Sequence, residues 1–176
     1  MHPSVTLCIE RLVDAPEAAA VEPLLRAYVA WAADELATLG VHFDDVSAVV
    51  EVHHAAFRAE LPNLVGPRGR LLVARVGRDT VGLGALKPVD ATTAEIKRMY
   101  VDPQARGRGV GRSLLEHLLD AAHAEGFRVA RLETLAFMSE AQGLYESLGF
   151  RDTPAFAGSE ASLSGFEHVT RYMERR

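Results

Sequence analysis

Hydrophobic positions recur along the chain with two periods, and the changes between them mark out the elements. From Ser4 to Leu12 the period is two, with Val5, Leu7 and Ile9 on one side, which predicts a half-buried first strand. Pro16 opens a helical stretch in which Val21, Leu24, Leu25, Tyr28, Trp31, Ala32, Leu36 and Leu39 return at helical spacing until Gly40. One long amphipathic helix is predicted there. Asp44 caps a second helix carrying Val46, Val49, Val50, His53 or His54, and Phe57, which ends at Leu61-Pro62. The NLVGPRGR segment that follows reads as a loop.

The period then returns to two. Leu71 to Val76 and Thr80 to Pro88, separated by Gly77-Arg78-Asp79, predict a β-hairpin, and Gly82 and Gly84 inside its second strand mark a bulge or a close backbone approach. After the Asp- and Thr-rich loop Asp90 to Thr93, AEIKRMYV alternates. That pattern puts Glu95, Lys97, Met99 and Val101 on one face and Ile96, Arg98 and Tyr100 on the other. A helix over Gly111 to Glu125 carries the stripe Val110, Leu114, Leu115, Leu118, Leu119 and Ala122 and stops at Gly126. Arg128 to Leu135 is another strand, so strand, helix and strand form a βαβ unit with parallel strands. Ser139 to Leu148 is a short helix closed by Gly149, and Phe150 begins an extended segment. Asp152 to Ser164, rich in Gly, Ser, Ala and Pro, reads as a surface loop, and Phe166 to Met173 as a last, antiparallel strand. No repeat or linker divides residues 1–176, and a single mixed α/β (α+β) domain is expected.

Composition supports that expectation and narrows the chemistry. With 176 residues, 48% hydrophobic and 24% charged, the chain can bury a core without metal or disulfide staples. The net charge of −5 disfavours a general nucleic-acid surface. The single cysteine, Cys8, has no internal partner and reads as a small apolar strand residue, not a nucleophile. MHPSVTLCIE lacks a basic leader region, and nowhere do eighteen apolar residues run together, so a cytoplasmic protein is expected. His53 and His54 point about 100° apart on a helix, and His117 and His123 are six residues apart. Neither pair has metal-ligand spacing, and no metal is expected.

Against this acidic background, Gln104 to Gly111, QARGRGVG, stands out between a strand and a helix start. Gly107, Gly109 and Gly111 lack Cβ atoms, so successive N–H groups are able to converge on one anion, reinforced by the helix dipole. Arg106, Arg108 and Arg112 add full charges suited to a diphosphate. A Walker A loop fails, because arginines stand where its first glycine and its lysine belong, and a dinucleotide fingerprint fails because its third glycine falls one residue early. A large anionic, phosphate-bearing cofactor is expected. The bland alternative is a tight turn without a ligand.

With KRMYVDPQARGRGVGRSLL followed by AQGLYESLGF, the chain resembles the GNAT superfamily of N-acetyltransferases from about Leu71 onward. Gln104, Gly107 and Gly109 match that family's phosphate motif; Ala141, Leu144, Tyr145, Gly149 and Phe150 match its second signature. Met138 stands where many relatives carry asparagine.

The resemblance implies a twisted, mostly antiparallel sheet splayed between its fourth and fifth strands. It implies acetyl-CoA, or coenzyme A, as co-substrate. Met99, Tyr100 and Val101 would meet the pantetheine arm, and Gln104, Arg106, Gly107, Arg108, Gly109, Val110, Gly111, Arg112 and Ser113 the pyrophosphate, with Ser139 also on the cofactor side. Residues 71–150 would form the cofactor core and 16–61 the acceptor-side helices. The implied reaction is direct attack of a primary amine, of a small molecule or peptide, in a ternary complex. An alkylamine of pKa about 10.4 is only about one part in a thousand neutral at pH 7, so a base is required. Glu95 holds the family position of that base and Tyr145 that of an acid for the leaving thiolate; a surface ion pair and a packing anchor are their bland counterparts. Tyr28, Trp31 and Glu35 are candidates for lining the acceptor pocket, or are core. A monomer or homodimer is expected, with no nucleic-acid or membrane partner. A catalytically silent coenzyme A-binding module and an arginine-turn nucleic-acid binder are the competing classes.

Overall fold

The structure, a computed structural model, describes residues 6–164 and 166–176. Strand β1 (Leu7–Leu12) is followed by a short helix α1 (Ala15–Ala18), a 3-10 turn (Ala19–Val21) and helices α2 (Glu22–Thr38) and α3 (Val46–Val65). Next come β2 (Arg70–Val76), β3 (Asp79–Pro88), β4 (Thr93–Val101), a 3-10 turn (Pro103–Ala105), α4 (Val110–Ala124) and β5 (Val129–Leu135). The chain closes with α5 (Ser139–Ser147), β6 (Arg151–Asp152), α6 (Glu160–Ser164), a 3-10 turn (Glu167–Val169) and β7 (Thr170–Arg175). The sheet order is β1-β2-β3-β4-β5-β7-β6. Every pairing is antiparallel except β4 with β5, so the fold is the mixed, mostly antiparallel one expected.

Two apolar cores sandwich the sheet. The buried stripe of α4, Val110, Leu114, Leu115, Leu118, Leu119 and Ala122, packs with Leu72, Leu86, Ile96, Leu132, Phe150 and Met173 on one face. On the other, Leu24 and Leu25 of α2 and Phe57, Leu61 and Leu64 of α3 pack with Leu71, Val73, Leu83 and Tyr100.

Several boundaries differ from the sequence reading for identifiable reasons. The predicted long first helix is α1, a 3-10 turn and α2, because Pro23 has no N–H to continue the helix and its ring crowds the preceding turn. Asp45, not Asp44, caps α3, its Oδ1 accepting from the N–H of Ser47 (2.8 Å) and Ala48 (3.2 Å). That helix continues through Pro62 to Val65, since burying Leu61 and Leu64 outweighs one missing bond in the last turns. His54 is the core histidine. Within the predicted loop Asp152 to Ser164 lies α6, its N-terminal N–H groups held by Glu133: Oε1 accepts from Glu160 (2.9 Å) and Oε2 from Ala161 (3.3 Å). The last strand begins at Thr170, after the 3-10 turn. Ser4 and Val5 of the predicted first strand lie outside the described residues. Cys8 is a strand residue, but exposed, on the opposite face of β1 from Leu7 and Ile9.

The largest correction is in β4. Pairing of β3 with β4 runs Lys87↔Glu95, Leu86↔Ile96, Ala85↔Lys97, then skips to Leu83↔Tyr100. Arg98 and Met99 together oppose Gly84, a β-bulge, and Arg98 has φ of +58°. The extra residue inverts the alternation. Ile96, Met99 and Val101 therefore face the α4 core, while Lys97 and Arg98 both reach Glu60 of α3 and Tyr100 joins the α2/α3 core. Glu95 and Met99 lie on opposite faces, not on one. Beyond Glu95↔Arg131 the parallel strands no longer pair; β4 follows β3 and β5 follows β7, leaving a cleft.

Candidate active site

The turn after β4 closes one end of that cleft. Gly107 (φ +72°) and Gly109 (φ +79°) adopt the left-handed conformation that glycine permits without penalty. A Cβ at either would meet nothing within 4 Å, so this side of the turn is open. The N–H of Ser113 donates to the Gly109 carbonyl at 2.9 Å and closes the first turn of α4. Those of Val110, Gly111 and Arg112 therefore have no intrahelical acceptor, and those of Gly107, Arg108 and Gly109 find none among the described residues. Unsatisfied donors at a helix N-terminus suit an anion, as coenzyme A would bring there. Gly111 packs within the fold, where a Cβ would make ordinary contact with Leu144 and Val101.

The arginines divide differently from the expectation. Arg106 turns back: its Nε donates to the Val101 carbonyl at 3.0 Å and its guanidinium lies over the rings of Trp31 (4.8 Å) and Tyr100 (5.7 Å). Its N–H is also engaged, donating to the Pro103 carbonyl. Arg112 donates to Ser147 Oγ at 2.9 Å and lies beside Glu116. Of these three arginines only Arg108, exposed on the turn, has no side-chain partner among the described residues. Gln104 is exposed and its N–H donates to Asp102; Ser113 and Ser139 sit in the first turns of α4 and α5.

On the other side of the sheet the cleft opens into a cavity of about 140 Å³. Glu95, Lys97, Arg98 and Met99 of β4 face Glu133, Thr134 and Leu135 of β5 across it, and Tyr28 of α2, Met138 and Tyr145 of α5 also line it. Glu95 is only 2% exposed. Its Oε2 accepts from Arg131 Nη2 at 3.2 Å, Lys97 Nζ lies 3.6 Å from Oε1, and Oε1 itself has no hydrogen-bond partner. Glu60 gathers Lys87 (2.8 Å), Lys97 (2.9 Å) and Arg98 (3.1 Å). Burial opposes its charge, but the three cations hold its pKa down at about 2. Glu160 pairs with Arg98 at 2.8 Å.

Glu133 is different. Burial pushes its pKa up, the backbone N–H of Ala161 only partly offsets this, and the charges of Glu160 and Glu95 add to the rise. Sequence alone did not single it out, because one carboxylate in an alternating strand is usually a solvent-facing position. The available signal was its place two residues beyond Arg131, on a strand running parallel to that of Glu95. Tyr145 is buried against Phe150, and its hydroxyl pKa is pushed well up, first by burial and then by Tyr28. The pKa of Tyr28 is itself pushed up to about 12, chiefly by burial.

Trp31 does not line the cavity. It bridges the parted strands, tilted on Tyr100 of β4 (6.1 Å) and edge-on to Phe137 beyond β5 (5.5 Å). Glu35 is not in the cavity either; one helical turn on from Trp31, it lies half-buried along α2. Of the three acceptor candidates, only Tyr28 lines the cavity.

Residues 67–152 match the family model described as an acetyltransferase (GNAT) domain. Over 98 residues the chain is 40% identical to the IAA acetyltransferase of Azospirillum brasilense, covering 55% of this chain and 64% of that one. This stretch therefore spans less than two thirds of that relative's length. The fold superposes on the PaiA N-acetyltransferase of Thermoplasma acidophilum, solved in complex with coenzyme A, with a TM-score of 0.71 at 16% identity over 97% and 99% of the two chains. An acetyltransferase from Streptococcus agalactiae gives 0.69 at 20% identity over 96% and 97%. At such identities the likeness speaks for the fold alone. Together with the domain match and the open glycine turn between β4 and α4, it marks residues 67–152 as similar to a GNAT acetyltransferase domain within a fold of that kind.

Proposed function

We propose that the protein transfers the acetyl group of acetyl-CoA to a primary amine by direct attack in a ternary complex. One observation carries the proposal: Glu95 Oε1 is buried without a hydrogen-bond partner, and Glu95 lines a cavity between strands that part beside a turn of free N–H groups. An orphaned carboxylate oxygen is costly unless a donor arrives, and an acceptor ammonium is such a donor.

In this reading the N–H groups from Gly107 to Arg112, with Arg108, hold the pyrophosphate. The edge of β4 from Met99 to Val101, which does not pair with β5, binds the pantetheine arm as an added strand would. Residues 71–150 serve the donor and residues 16–61 the acceptor. Glu95 takes the proton from the ammonium, a role typically contributing ~10²–10⁴-fold. The neutral amine attacks the thioester carbonyl, and a backbone N–H near Met99 and Tyr100 stabilises the oxyanion. Tyr145 donates a hydrogen bond to the departing sulfur. Because burial raises the Tyr145 pKa while a thiol titrates near ~8.5, complete proton transfer is uphill and hydrogen-bond donation is its main contribution. No covalent intermediate on the protein is needed. A cytoplasmic monomer or homodimer completes the proposal.

The test is thiol release from acetyl-CoA across a panel of primary amines, with Gly109→Asp as control. Release with at least one amine, abolished in Gly109→Asp together with acetyl-CoA binding, supports the reading. Binding of acetyl-CoA without release for any amine would instead mean a silent coenzyme A-binding module.

A further inference from the structure

Four buried apolar residues of α2, Val29, Ala32, Ala33 and Leu36, belong to neither apolar core. They line the cavity instead, as do Phe43 and Phe166, whose rings meet edge-on at 5.8 Å. The two alanines keep that part of the wall shallow, so the space is not filled from α2.

Glu133 stands at the strand side of the same cavity. Its oxygens accept the N–H groups of Glu160 and Ala161, and no Lys, Arg or His pairs with it among the described residues. The other carboxylates of the lining have such partners: Glu95 has Arg131 and Lys97, and Glu160 has Arg98 and Lys97. A carboxylate that is partly desolvated and lacks a cation attracts one from a ligand.

We propose that the acceptor is a primary amine on a compact apolar or aryl body, its ammonium received by Glu133 beside the proton-accepting Glu95 and its body seated on Val29, Ala32, Ala33, Leu36, Phe43 and Phe166. The inference rests on the acetyl-transfer reading of this site. A polyamine would press a second ammonium, unpaired, against the apolar wall, and an aminoglycoside would strip its hydroxyls of water there. Volume agrees, because apolar cavities of about 150 Å³ hold one benzene ring and this one measures about 140 Å³.

The experiment compares 2-phenylethylamine, 3-methylbutylamine, spermidine and kanamycin as acceptors by thiol release. In parallel, calorimetry in the presence of coenzyme A measures binding of each amine and of uncharged 2-phenylethanol. The two apolar amines are expected to exceed spermidine and kanamycin at least tenfold in kcat/KM. Glu133→Gln keeps an oxygen to cap α6 but loses the charge. It should weaken 2-phenylethylamine at least tenfold while leaving 2-phenylethanol and the KM for acetyl-CoA unchanged. Ala33→Phe should fill the seat and lower kcat/KM for 2-phenylethylamine at least tenfold. Preference for spermidine or kanamycin, or equal weakening of amine and alcohol by Glu133→Gln, would overturn the inference while acetyl transfer stands. Tight binding of the apolar amines with no thiol release from any amine would leave the seat in place and remove the transfer reading.

Discussion

A methyl group on Gly84 would stand 2.6 Å from the Sδ of Met99. Met99 fills the space where a side chain of β3 would otherwise project, and the same Cβ would come within 3.0 Å of Leu118. The bulge in β4 and the bare position in β3 therefore require each other. The left-handed backbone of Arg98 costs energy for a residue with a Cβ, and its guanidinium, held by Glu60 and Glu160, helps to fix that conformation.

Gly84→Val is expected to destabilise the fold by about 1–3 kcal/mol through overpacking. Met99→Ala in the same chain should recover part of that loss. A denaturant series on both single variants and the double variant measures the coupling; strictly additive changes would separate the two residues.

Much of the fold was legible because one element's pattern admits one solution. The stripe of α4 pointed to a single buried face, and Gly107 and Gly109 marked the turn because a positive φ favours glycine. What stayed hidden has a common cause: it depends on how elements meet. AEIKRMYV alternates regularly on paper, and the inversion at Arg98 becomes visible only when Gly84 admits Met99 from the neighbouring strand. Pro23 could have been read, since its fixed φ and missing donor favour the first turn of a helix. The missing cation of Glu133 could not, because it is a property of the residue's neighbours. Arg106 looked like a phosphate ligand by position and is instead the clasp between the turn and Trp31.

The Glu60 cluster gives stability a pH dependence. A carboxyl with a folded pKa near 2 and an ordinary unfolded value contributes stability above the unfolded pKa, and loses it as pH falls through the folded one. Glu60→Gln should therefore cost about 3 kcal/mol at pH 7, with the gap to the natural protein closing between pH ~4.5 and ~2. Urea melts at several pH values check this; a gap independent of pH would mean that Glu60 acts by packing.

Tyr145→Phe removes one hydroxyl from a buried ring and keeps its packing on Phe150. Turnover should fall about 10–100-fold, less than a base contributes, with acetyl-CoA affinity nearly unchanged. Pre-steady-state thiol release beside a binding titration separates the two quantities, and full activity would leave Tyr145 as an anchor for α5.

The most direct test of the central claim is the pH–rate profile of Glu95→Gln with an alkylamine acceptor. If Oε1 of Glu95, which has no hydrogen-bond partner, takes the acceptor's proton, kcat/KM should fall ~10²–10⁴-fold near pH 7. The deficit should shrink as pH approaches the amine's own pKa of about 10.4, with the KM for acetyl-CoA unmoved. A variant whose profile runs parallel to the natural protein's, or coincides with it, would contradict the account.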